Sequence, residues 1–73
     1  MKTNNKLHDY RNNLDGVERW AEVYSVPEGY RVTFFKDNIW HGSRIIEGHS
    51  EQYAEDCAEN FVMGIFDVGE EDK

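Results

Sequence analysis

The sequence has one cysteine and one proline among its 73 residues. A lone thiol, Cys57, excludes an internal disulfide. Residues 1–13 are polar, with neither a secretory signal nor an apolar stretch for a membrane. One thiol and no such signal set the expectation of a cytoplasmic protein, in the host cytoplasm if the chain is viral. Basic residues are also scarce, eight Lys and Arg against fifteen Asp and Glu, for a formal charge of −7. That balance disfavours direct binding to nucleic acid or to an anionic membrane, since phosphate contacts need positive surface. A chain this short allows one domain and buries only about 60% of its unfolded surface. Domains of this size usually add disulfides, a metal or a partner.

What the chain has instead is aromatic side chains: two Trp, four Tyr and four Phe. Each buries a large area, so they offset the small size. The charge is uneven. Residues 1–14 carry Lys2, Lys6 and Arg11 against Asp9, a local +2, whereas residues 47–73 carry nine acids against Lys73, a local −8. Such a field attracts basic protein surfaces; acids also simply keep an aromatic-rich chain soluble.

Residues 1–16 hold four Asn and little apolar matter, and read as a flexible polar arm, with a helical turn near Leu7 to Leu14 and a turn at Asp15-Gly16. Trp20 to Val26, Tyr30 to Phe35 and Ile39 to Ile46 read as three strands. Val26-Pro27-Glu28-Gly29 suits a type I turn, and Asp37-Asn38 a two-residue hairpin turn. Gly42 marks a candidate bulge. Ser50 is a good N-cap with Glu51 in the first turn. Ala54, Cys57, Ala58, Phe61 and Val62 recur at helical spacing, and Gly64 suits the C-cap. Ile65 to Val68 reads as a short extra strand or packed chain, and 69–73 as a disordered acidic tail. The expected fold is α+β: a three-stranded antiparallel meander over 17–68, then one amphipathic helix packed on one sheet face.

The turns set a register. Ser25 opposite Tyr30, and Lys36 opposite Ile39, place Phe34 opposite His41. One face then holds Ala21, Val23, Ser25, Tyr30, Val32, Phe34, His41, Ser43 and Ile45; the other holds Trp20, Glu22, Tyr24, Arg31, Thr33, Phe35, Trp40, Arg44 and Ile46. Trp20, Phe35 and Trp40 form a cross-strand row. A single helix cannot cover both faces, so Trp20, Tyr24, Phe35 and Trp40 are candidate partner-binding residues, unless the arm or Ile65–Val68 covers them.

No catalytic motif emerges. Cys57 lies on the apolar stripe of the helix and reads as a small hydrophobe. His8, His41 and His49 are dispersed and show no metal-ligand spacing with it. Ser25, Ser43 and Ser50 lack a nucleophile motif, and there is no Gly-rich phosphate loop. The expectation is a non-enzyme with no cofactor and no metal. Glu51, Glu55 and Glu59 stand in a row on the helix, about 6 Å apart, flanked by Glu47 and Asp56. Phosphates on one DNA strand have comparable spacing, so this acidic surface is a candidate mimic of a nucleic-acid backbone; a solvated helix face is the plainer reading.

Arg19-Trp20-Ala21-Glu22-Val23, Gly29-Tyr30-Arg31-Val32 and the stretch from Tyr53 to Val62 resemble small uncharacterised acidic proteins of tailed bacteriophages, over most of residues 17–63. The resemblance implies a protein that binds and inhibits a basic, nucleic-acid-handling host protein: a nuclease, a polymerase, or a CRISPR or restriction effector. It assigns no functional residue. The alternatives are a structural or accessory homodimer joined through Trp20, Phe35 and Trp40, and a small single-stranded nucleic-acid binder using the aromatic sheet.

Overall fold

A computed structural model describes residues 5–65. Four strands and a helix follow one another: β1 Asn5–Leu14, β2 Val17–Val26, β3 Gly29–Lys36, β4 Ile39–Ile46 and α1 Glu51–Val62. The sheet is an antiparallel meander in the order β1-β2-β3-β4. The three-stranded expectation is thus corrected. Residues 5–14 of the expected flexible arm are a full strand, not a loose segment with a helical turn. The expectations placed on residues 1–4 and 66–73 lie outside the described residues.

Turn chemistry explains the meander. Asp15 and Gly16 have φ of 54° and 83°, and Asp37 and Asn38 have φ of 51° and 68°. Two successive positive φ values are the requirement of a two-residue hairpin turn whose twist suits the flanking strands. Asp and Asn tolerate that region better than other side chains. Leu14 pairs with Val17 and Lys36 with Ile39 across these turns. Pro27 and Glu28 form the middle turn, closed by Val26 opposite Gly29. Gly29 has φ of 141°, and a Cβ there would run into the Ile46 carbonyl oxygen.

The β2–β3 register is as expected, with Ser25 opposite Tyr30 and Ala21 opposite Phe34. Phe35 meets Trp40 as expected, but Phe34 lies opposite Gly42, so His41 is an extra residue in β4. Gly42 has φ of 138°, which fits a bulge. One inserted residue exchanges the faces of everything after it. Ile46 therefore enters the core at 4% exposure, Arg44 turns to the helix side, and Ser43 and Ile45 join the face of Trp40. That corrects the expected face lists for the end of β4.

The core lies between the sheet and α1. Ala21, Val23, Val32, Phe34 and Ile46 from the strands meet Ala54, Cys57, Ala58, Phe61 and Val62 from the helix. Phe34 and Phe61 touch at 4.8 Å between ring centroids. The helix packs on β1, β2 and β3. Ser50 caps its start, accepting from the Tyr53 amide at 3.3 Å. Its end closes with Ile65 N–H donating to the Asn60 carbonyl and Gly64 N–H to the Phe61 carbonyl. With Gly64 at φ of 82°, this is the paired bond pattern of a Schellman stop.

No basic residue sits in the last helical turn. The sheet supplies the missing donors: Asn12 Nδ2 donates to the Val62 carbonyl at 2.9 Å, and Arg19 Nη1 to the Phe61 carbonyl at 3.1 Å. The Val62 carbonyl at the negative end of the helix is thereby satisfied from the sheet, and the Phe61 carbonyl, already bound by the Gly64 N–H, gains a charged second donor. Among the described residues no helix is long and apolar enough to cross a membrane.

Substituting Gly29 by Ala is expected to lower stability by about 2 kcal/mol, the scale of a side chain forced into a strained backbone region. Urea denaturation followed by Trp fluorescence measures it, and a midpoint unchanged from wild type would contradict the geometry.

Candidate functional site

The face of the sheet away from α1 carries a row across all four strands. Arg11 pairs with Trp20, Trp20 with Phe35, and Phe35 with Trp40. The Arg11 guanidinium carbon lies 4.0 Å from the Trp20 ring centroid, a cation–π contact. Trp20 and Phe35 rings are 4.9 Å apart and tilted by 31°. Trp40 ends the row at 61% exposure, and exposed Ile45 lies farther along the same face of β4. The first segment does not cover this row; as β1 it extends the sheet edge.

Beside the row, polar groups are tied together. Glu22 is only 9% exposed although it lies on this open face. It accepts from the Tyr24 hydroxyl at 2.7 Å, and Lys6 Nζ lies 3.7 Å from its other oxygen. The bond to Glu22, and then burial, push the Tyr24 hydroxyl pKa up. Arg31 lies over the Tyr24 ring at 5.3 Å. Lys6 also donates to Asp9, which raises its own pKa. By contrast, the buried Trp20 Nε1 has no hydrogen-bond partner among the described residues.

The acidic helix face is arranged otherwise than the row reading expects. His8 of β1 sits against the first two turns of α1. Its Nε2 is 2.8 Å from Glu51 Oε2 and 2.6 Å from Glu55 Oε2. The hydrogen bond to Glu51 raises the imidazole pKa above 6.5; burial opposes this, and the charges of Glu55 and Glu51 add to it. Two of the three carboxylates in the row thus turn toward the sheet. Glu47, Asp56 and Glu59 are exposed, with Gln52 donating to Asp56 at 3.1 Å.

The structure brings Trp20, Phe35 and Trp40 together, with Tyr24 farther along the same face beside Glu22. It leaves Glu47 on the loop before α1, and it parts Glu51 and Glu55 from Glu59 by their partner. Two residues escaped the sequence reading: Arg11, which completes the aromatic row, and His8, which joins the carboxylates. Both lie on β1. The missed signal is the Asp15-Gly16 hairpin turn, which requires a strand before it as well as after it. Comparison with protein-family models, with curated proteins and with solved structures finds no match for this chain.

The two faces predict opposite responses to truncation. Trp40→Ala should change stability by no more than about 0.5 kcal/mol, as for an exposed side chain. Phe61→Ala should cost about 3–5 kcal/mol, as for a buried ring. Thermal denaturation of both variants checks this; equal losses would contradict the assignment of faces.

Proposed function

We propose that the protein is a non-catalytic binding module that docks on a basic, nucleic-acid-handling protein and blocks it, as the resemblance to small acidic phage proteins implies. The observation that carries this reading is the row Arg11–Trp20–Phe35–Trp40, on the face away from α1 and covered by no other element among the described residues. Trp, Tyr and Arg are the residues that most often supply binding energy at protein interfaces, and charged residues are depleted from interface centres. Exposed Ile45 lies farther along the same face, opposite Arg31. The formal charge of −7 selects the kind of partner: it accelerates encounter with a basic surface and repels nucleic acid itself.

Within this reading the anchor is the sheet face, and the acids steer. Glu47, Asp56 and Glu59 are available for steering, whereas Glu51 and Glu55 are engaged by His8. A regular ladder of carboxylates imitating phosphates is correspondingly less favoured than a field that simply attracts cations. The same aromatic face would serve a homodimer, or would stack the bases of a single strand. Sedimentation at micromolar concentration and a mobility-shift assay at low salt separate those alternatives from heterologous binding.

Affinity capture from host lysate, with partners identified by mass spectrometry, tests the proposal. Recovery of a basic nucleic-acid-handling protein is expected, lost with Trp40→Ala and weakened by salt. Failure to recover such a protein, or recovery indifferent to Trp40→Ala, would sink it.

A further inference from the structure

We infer that His8, Glu51 and Glu55 form a binding site for a single divalent transition-metal ion of the zinc type, joining β1 to α1. Three potential ligand atoms, one imidazole nitrogen and two carboxylate oxygens, lie within 4.8 Å of one another. They come from two elements more than forty residues apart in sequence, and the core that packs α1 on β1 holds them together. The side chains are 37%, 43% and 22% exposed, so an ion can enter from solvent without opening the core.

The convergence favours a cation, which the protonated imidazole or a metal ion can supply. Two carboxylates one helical turn apart repel each other, yet both aim an oxygen at the same ring nitrogen. A protonated ring supplies one charge, but its Nε2–H can point well at one oxygen only. A metal ion accepts all three lone pairs at once. Zinc bonds of about 2.0–2.2 Å at tetrahedral angles put ligand atoms about 3.3 Å apart. The nitrogen–oxygen separations are 2.8 and 2.6 Å, so each carboxylate must retreat by roughly half an ångström. Side chains this exposed do so by small rotations about their own bonds. Nitrogen together with oxygen donors selects zinc, nickel or cobalt over magnesium and calcium, which take oxygen. Three protein ligands leave the fourth position to water.

An ion here would clip the first strand to the helix that closes the core. That is the kind of added tie that domains of this size commonly use. It binds the folded chain alone, because unfolding separates His8 from both carboxylates, and so it raises stability with ligand concentration.

The test is zinc titration of the untagged, chelator-treated chain, read by calorimetry and by thermal denaturation. One ion per chain and a raised midpoint are expected. Affinity should fall at least ten-fold in His8→Ala and again in the Glu51→Gln/Glu55→Gln double variant, and persist in His49→Ala. Because each variant is compared with and without zinc, a change in its own stability does not confuse the result. Should a variant fail to fold, zinc-induced shifts of the His8 ring nitrogens in the wild-type NMR spectrum decide. Absence of binding, binding unaffected by either variant, or undisturbed His8 resonances would overturn the site.

Discussion

Phe61 has no exposed surface; its ring meets Phe34 at 4.8 Å, and the Arg19 guanidinium lies over the ring at 5.2 Å. This contact seats a twelve-residue helix on one face of the sheet. A helix of that length and diameter covers about three strands and one face only. Everything else in the molecule follows from which face it takes. Small residues, Ala21 and Ala54 and Ala58, let the backbones approach, and Phe61 fills the space beside them. No element among the described residues packs on the opposite face, with Trp20, Phe35 and Trp40.

β1 makes that seating possible although it is mostly polar. Its inward residues, His8, Tyr10 and Asn12, run alongside the helix. His8 meets Glu51 and Glu55 near its start, Tyr10 packs on the core, and Asn12 holds the Val62 carbonyl at its end. From His8 to Asn12 the strand advances about 14 Å, close to the roughly 16 Å from Glu51 to Val62. A polar strand therefore matches a helix end to end through hydrogen bonds and charge, where a usual strand would use aliphatic contact. On the outer side the same strand sends Arg11 over Trp20. Core and candidate surface thus share one strand.

Much of this was legible in the sequence, and what was not has identifiable causes. Strands β2 and β3 and the helix announce themselves by β-branched and aromatic residues and by 3.6-residue periodicity, and the cross-strand row follows from the turns. β1 hides because Asn and Asp are poor strand formers by propensity, and its inward side chains are held by specific partners that no hydropathy pattern reveals. The bulge at His41 hides for a related reason: Gly42 hints at it, but which residue is extra depends on whether Ile45 or Ile46 better fills the core. The His8 cluster joins positions separated by more than forty residues, so local spacing could not suggest it. The open face was readable as a surplus of aromatic residues that one helix cannot cover.

The claim on which the rest depends is that α1 lies against Phe34 and not against the tryptophan row. NMR distance restraints on the free chain test it most directly. Contacts from the Phe61 ring to Phe34 and Ala21, with none from helix side chains to the indoles of Trp20 and Trp40, are predicted. Contacts between the helix and either indole would contradict it.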